Sequence, residues 1–389
     1  MNKILLSTLV AGLFAASTSA NAGIKIPAGE WTLDIGGNVN AYYTQTRTTG
    51  ESVTPTGATA ASGQTTSNIT TGLLPNYIVV SGASRQNDLD VGFTISLQPG
   101  AATDHSGTTG NINQRQAYLT FGDKSWGSVK LGKDLGIYAS EAILNDMTLL
   151  GVGGGAASVG NTTLGRIGAG YMYADWKSQV AYTTPNWDGL QATVGVTQSW
   201  NATQSTGASS GTSDLRGGSQ PAIEAKVSYA WAGPVAGKVW TSAISQKIDG
   251  VNSGNGDTRA NAWDVGGTVS AYNATVTANY GEGKGTGTTF LMQDGLNTNG
   301  SKRESKDWYL QGTYQLPTAT KVGLSYGESK LDGNAGNYTN EMWVAGAYHP
   351  LTKNLNLVAE YTDGQKEVTG THAGKQDYKT VALGAILFF

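Results

Sequence analysis

The sequence predicts an all-β fold, a transmembrane antiparallel 16-stranded β-barrel, and three observations predict it. Apolar and polar residues alternate with period two along almost the whole chain. The connectors between alternating segments switch regularly between long and short. The composition is the third: 389 residues with 55 glycines, no cysteine and only 14% charged residues. So few charges make a poor soluble surface, while 10 Trp, 18 Tyr and 6 Phe are too many aromatics for a disordered chain. Past the N-terminus no stretch approaches the roughly 18 consecutive apolar residues of a membrane-spanning helix, so a helical membrane protein is excluded.

The first element is a targeting segment. Lys3 supplies a positive n-region, Ile4 to Ala16 a short apolar core, and Ala20-Asn21-Ala22 a small-x-small cleavage site, so residues 1–22 read as a signal peptide and 23–389 as one barrel domain. Without Lys3 the 25 basic residues become 24 against 28 acidic, a net charge of −4. That balance offers no basic footprint, and nucleic acid is dropped as a partner. An exported chain without cysteine must be held by a network other than disulfides.

The alternation gives sixteen strands, near 31–43, 73–81, 88–98, 113–122, 126–133, 177–184, 189–199, 220–231, 235–248, 260–271, 272–281, 304–316, 319–330, 339–349, 353–363 and 375–389. In the first, Trp31, Leu33, Ile35, Val39, Ala41 and Tyr43 oppose Thr32, Asp34, Asn38 and Asn40. In the eighth, Ile223, Ala225, Val227 and Tyr229 oppose Glu224, Lys226 and Ser228. A soluble sandwich also alternates. Here, however, apolar faces begin or end with Trp or Tyr, as in Trp31/Tyr43, Tyr272/Tyr280 and Trp308/Tyr314, which suits interfacial girdles on a barrel facing lipid. The opposite faces carry Asp, Glu, Lys, Gln and Asn, groups that want water, and a wet lumen supplies it.

The long connectors are 44–72, 99–112, 134–176, 200–219, 249–259, 282–303, 331–338 and 364–374. Short ones include Asp123-Lys124-Ser125, Ala232-Gly233-Pro234 and Pro317-Thr318. Long extracellular loops on one rim and short periplasmic turns on the other are the expected form of an outer-membrane barrel. Closure satisfies every backbone donor and acceptor, as lipid demands.

Three segments then carry a family resemblance. The last strand, Tyr378 to Phe389, alternates to a terminal Phe and looks like the insertion signal of bacterial outer-membrane barrels. Arg115-Gln116-Ala117-Tyr118-Leu119-Thr120-Phe121 followed by Trp126-Gly127-Ser128-Val129-Lys130-Leu131-Gly132-Lys133 resembles the hairpin before the third long loop of Gram-negative general porins. Gln179 to Leu190, with Tyr182, Pro185 and Gly189 in place, is similar to a second hairpin of that family; Thr184, Trp187 and Leu190 depart from it. The resemblance implies a homotrimer in outer-membrane lipid and lipopolysaccharide, passing small hydrophilic solutes and ions by diffusion, with the third loop folded inward as a constriction.

That loop is 134–176, and the expected acidic side of the constriction is Asp134, Glu141 and Asp146. Arg115, Lys130, Lys133 and Arg166 are the expected basic side. Lys130 opposes Val129 and Leu131 in parity and faces the lumen. Arg115 shares parity with Ala117 and Leu119, which places it outside, whereas the resemblance places it in the lumen. Facing rows of acid and base would order water and favour polar solutes. For each acid the plainer reading competes: Asp134 and Lys133 as an ordinary pair at a strand end, Glu141 or Asp146 as the cap of a short turn around Ala142-Ile143-Leu144. Lumen-parity charges, Asp34, Asp88, Asp90, Glu224, Asp264, Asp307 and Glu360 against Lys130, Lys177, Lys226 and Lys321, tilt toward cations.

No cofactor, metal site or catalytic residue is expected. Gly151 to Gly155 and Gly281 to Gly285 lack phosphate-loop spacing. His105, His349 and His372 without cysteine make no transition-metal site. Asp104-His105 lies in a Gly/Thr-rich loop, where a solvated pair outweighs a catalytic one. The alternatives are a substrate-specific outer-membrane channel and, in another class, an enzyme or adhesin on a barrel scaffold.

Overall fold

The computed structural model describes residues 23–100, 112–154, 162–202, 220–249, 256–297, 299–334 and 336–389. Residues 1–22, expected to be a signal peptide, and Asp104-His105 and Gly155 lie outside the described residues.

Among the described residues twenty strands form in chain order. β1 (Ile24–Ala28) and β2 (Trp31–Gly50) make a hairpin, and β3 (Ser52–Thr54) pairs with β4 (Gly57–Thr59) in the first long connection. There follow β5 (Gln64–Thr70), β6 (Tyr77–Gln86), β7 (Leu89–Leu97), β8 (Ala117–Asp123), β9 (Gly127–Leu135), β10 (Trp176–Thr183), β11 (Leu190–Thr197), β12 (Ala222–Trp231) and β13 (Ala236–Ile248). The rest are β14 (Thr258–Ala271), β15 (Ala274–Lys284), β16 (Glu304–Gln315), β17 (Lys321–Leu331), β18 (Tyr338–Pro350), β19 (Leu355–Val368) and β20 (Gly374–Phe388).

β5 and β6 pair with the two halves of β2 and act as one broken strand, so the ring counts sixteen. Every neighbouring pair is antiparallel, and β20 pairs with β2 from Asn38↔Phe388 to Gly50↔Gln376. The circle therefore closes, and no lipid-facing edge remains. The sixteen strands are those of the periodicity. Five pieces escape it: β1, which is short, and the extension of β2 to Gly50, β3, β4 and β5 inside the expected loop 44–72, on Thr-rich segments with little apolar contrast.

β1 continues the line of β20 along β2. Ile24 stands opposite Ile35, and Gly37 exchanges both backbone hydrogen bonds with Phe389, at 2.9 and 3.1 Å. The break between β5 and β6 has its own cause in Asn38 and Asn40 on β2. Asn38 Nδ2 donates to Pro75 O and Asn40 Nδ2 to Leu74 O, while Asn40 Oδ1 accepts from Gly72 N. Two inward amides thus replace the missing ladder bonds and let 71–76 bend into the lumen.

The faces sort as the alternation requires. On β2, Val39 and Tyr43 point outward while Asn38, Asn40, Tyr42 and Thr44 are buried inside. On the outer face of β14 to β18 aromatic rings stand in contact. Trp263 and Tyr280 rings lie 5.9 Å apart, Trp308 and Tyr326 5.3 Å, Tyr326 and Trp343 4.5 Å. Flat amphipathic rings of this kind suit the zone where lipid meets water.

Candidate pore constriction

The long loop between β9 and β10 folds inward and is tied to the far wall. It contains α1 (Ser140–Leu144) and a 3₁₀ turn, Met147–Leu150. Glu224 on β12 begins the attachment: its Oε2 accepts from Ile137 N and Tyr138 N, both at 2.8 Å. Its Oε1 accepts from Lys177 Nζ at 2.5 Å and Thr197 Oγ1 at 2.8 Å. Glu360 on β19 repeats the device, with Oε2 accepting from Val152 N at 2.7 Å and Gly153 N at 2.8 Å and Oε1 from Tyr348 OH. Each carboxylate grips two successive N–H groups in a buried site, where charge-assisted bonds are strong.

Between these grips, Gln311 on β16 accepts from Met147 N and donates to Asn145 O, and Tyr309 OH donates to Ala142 O. Tyr42 OH on β2 donates to Leu150 O. On the return, Gly170 N donates to Ser329 Oγ of β17 and Asn340 Nδ2 of β18 to Gly168 O. Gly151 sits against Glu360 so closely that a Cβ there would lie 2.0 Å from the carboxylate oxygen.

The expected site residues fall into three groups. Asp134 is buried and accepts from Gln116 Nε2 at 3.1 Å and from Lys130 Nζ, whose other face rests on the Tyr118 ring. Glu141 is buried between two wall lysines, with Nζ of Lys226 at 2.9 Å and of Lys238 at 2.7 Å. Burial acts to raise its carboxyl, but the two ammonium groups outweigh that and hold it below the ordinary glutamate range. Asp146 caps the 3₁₀ turn, accepting from Thr148 N and Oγ1, and also takes the Tyr171 hydroxyl at 2.7 Å. All three acids are inside; Asp134 and Glu141 face wall and loop, while Asp146, though held by the loop, also borders the central cavity.

Arg115 and Lys133 form the second group. Both line the central cavity. Outward parity does not hold for Arg115, because β8 begins only at Ala117, and its guanidinium lies 5.7 Å from the Trp176 ring. Asp175, in the left-handed region at φ 57°, feels both cations. Burial nonetheless pushes its carboxyl up.

Arg166 is a correction. It is fully buried, with Nη1 donating to Ala169 O and Met342 O, so it is packed between loop and wall and cannot line an open passage. Burial lowers its guanidinium against the pull of Asp146. The loop wraps back on itself here, a tertiary event that sequence parity cannot show. The cation tilt needs the same correction: Glu224 and Glu360 hold the loop and leave no free charge in the lumen.

What remains open is a cavity of about 1060 Å³. It runs from Ile112, Trp200 and Phe290 on the loop side to Lys321, Asn356 and Phe388 near the turns. Along the loop its lining includes Leu144, Leu149, Leu150 and Leu164, all partly exposed, beside the polar Asn145, Asp146 and Thr162. Sequence reasoning passed over Leu149, Leu150 and Leu164, and read Glu224 and Glu360 as lumen charges rather than as holders of the loop. The apolar pairs Ile143-Leu144 and Leu149-Leu150 in a loop were the available signal. Among the described residues no group of three His, Cys, Asp or Glu could hold a metal ion.

A family model described as Gram-negative porin matches residues 7–368. No curated protein matches the chain. Among solved structures, it is similar to the outer membrane channel DcaP of Acinetobacter baumannii, at 17% identity and TM-score 0.69 over 95% of this chain and 100% of that one. An anion-selective porin from Comamonas acidovorans follows at 15% and 0.61, over 92% and 100%. The trimer form of OmpT, an outer membrane protein of Vibrio cholerae, stands at 15% and 0.56, over 92% and 99%. At such identities these likenesses concern the fold.

Proposed function

The chain belongs to the Gram-negative porin family, and from that premise we propose how it works as an outer-membrane channel for passive diffusion of small solutes. The observation that carries the reading is the closed ring with a loop tied across its lumen and a continuous cavity beside the loop. A water-filled opening lets polar solutes cross a layer that would otherwise strip their hydration. No step of that process needs bond chemistry, and we read the chain as a non-enzymatic channel.

Within it, Arg115 and Lys133 act on the permeating solute. Asp134, Lys130, Glu141 and Asp146 hold the constriction in shape through the pairs described above. Residues 1–22 direct export and are removed. The chain assembles as a homotrimer in lipid and lipopolysaccharide; the sequence resemblance and the trimeric form of a fold relative support this. Planar-bilayer recording of the purified chain tests the function: stepwise conductance is expected, and its absence overturns the reading. Unheated gel migration at monomer mass overturns the trimer.

A further inference from the structure

We propose, resting on the channel reading above, that the β3–β4 hairpin is a plug in the mouth of the barrel on the side of the long connections. It limits the size of solute admitted there, and Arg303 is its positioning residue. β2 leaves the wall after Gly50, and the hairpin that follows turns inward. Val53 is 4% exposed and packs with Leu331, Tyr338 and Val368. These three stand in register on β17, β18 and β19. By parity they share the face of Ser329, Asn340 and Glu360, the side chains that hold the inner loop. The socket for Val53 is therefore in the lumen. With β3 also against β20, the hairpin lies along four of the sixteen strands, a quarter of the ring.

Polar contacts fix the hairpin at base and tip. Glu51 N donates to Lys375 O and Lys375 N to Glu51 Oε2, both at 2.9 Å, and Ala58 N donates to His372 O at 2.9 Å. At the turn, Arg303 Nη1 donates to Pro55 O at 3.1 Å while its Nε donates to Asp332 O at 3.0 Å. One guanidinium, 4% exposed, joins three connections far apart in sequence, a reach that needs the fork of arginine. A buried charge is costly unless it is hydrogen-bonded, and an emptied apolar socket meets water. Both costs favour the closed position. The central cavity opens elsewhere, beside Ile112, Trp200 and Phe290, so a displaced hairpin would add a second opening over β17 to β20.

The test uses the full chain in planar bilayers, with polyethylene glycols graded in size added to one side at a time while channel current is read. Val53→Asp with Arg303→Gln should let larger polymers lower the current from the side of the long connections. The limit from the opposite side, set by the inner loop, should stay where it was. Val53→Ile, which keeps the socket filled with an apolar side chain, should behave as the parent. Deleting 52–59 should give the same one-sided shift, because the β2–β5 ladder from Tyr42↔Thr70 to Thr48↔Gln64 does not include those residues. Unheated gel migration verifies that each variant forms the barrel; if the double substitution does not, the deletion decides. An unchanged limit on the side of the long connections, or an equal shift on both sides, overturns the proposal while the channel stands. If the parent chain passes no current at all, both fall.

Discussion

Replacing Glu224 with Ala probes the loop attachment most directly. Glu224 and Lys177 are both wholly buried and pair at 2.5 Å. Removing one partner of such a pair leaves an uncompensated buried charge, at a cost of about 3–5 kcal/mol. Ile137 N and Tyr138 N lose their acceptor as well, and a buried N–H without a partner costs about 1–3 kcal/mol. The backbone ladder of β12 with β11 and β13 is untouched, so the barrel survives and the loss falls on the loop. The loop start should leave the wall, which hydrates Lys177 and limits the net loss to a few kcal/mol. Single-channel conductance and the guanidinium midpoint by tryptophan fluorescence report the two effects. Glu224→Ala should change conductance and lower the midpoint. Adding Lys177→Met should restore much of the midpoint, because the buried charge is gone, but not the conductance, because the anchor is still missing. Unchanged conductance and midpoint in Glu224→Ala, or no recovery in the double variant, would refute the reasoning.

Two further predictions address the other end of the loop and its titration. Gly151→Ala places a methyl 2.0 Å from the Glu360 carboxylate; it should loosen the Val152–Gly153 grip and add current noise without shifting the bands of the barrel in circular dichroism. Asp175 has its carboxyl raised by burial, so it takes up a proton above the ordinary aspartate range as pH falls. A negative charge beside Arg115 and Lys133 is then lost, and the reversal potential in a salt gradient should move toward anions. Sign and stability agree: a raised carboxyl is a cost to folding above its ordinary value, relieved as pH falls through the raised one. Asp175→Asn keeps the left-handed backbone that asparagine tolerates and should abolish this pH dependence.

How much of this could be read from sequence depends on the scale of the cause. Period-two alternation is local, so Leu89 to Leu97 and Ile223 to Tyr229 declared their faces at once, and the sixteen strands followed. Loop residues have no such period. Glu141 and Asp146 looked like pore charges because nothing nearby in sequence neutralises them; Lys226, Lys238 and Tyr171 do so from 25 to 97 residues away. Arg166 failed for the same reason. β5 was missed because Gln64 to Thr70 is polar on both faces and exposed for most of its length, so no contrast marks it.

The loop tied from β12 to β19 also makes a mechanical part. A hollow cylinder resists length changes well and ovalisation poorly. Here an inner loop is fixed to successive strands of the wall, by Glu224 at Ile137–Tyr138, by Gln311 at Met147 and by Glu360 at Val152–Gly153. Bending that arc of wall strains these attachments, so lateral membrane pressure meets a stiffened segment rather than an empty tube. The same attachments link cross-section to aperture: any distortion of the rim displaces the leucines that border the passage. In this barrel, stiffness and bore are set by one segment of chain.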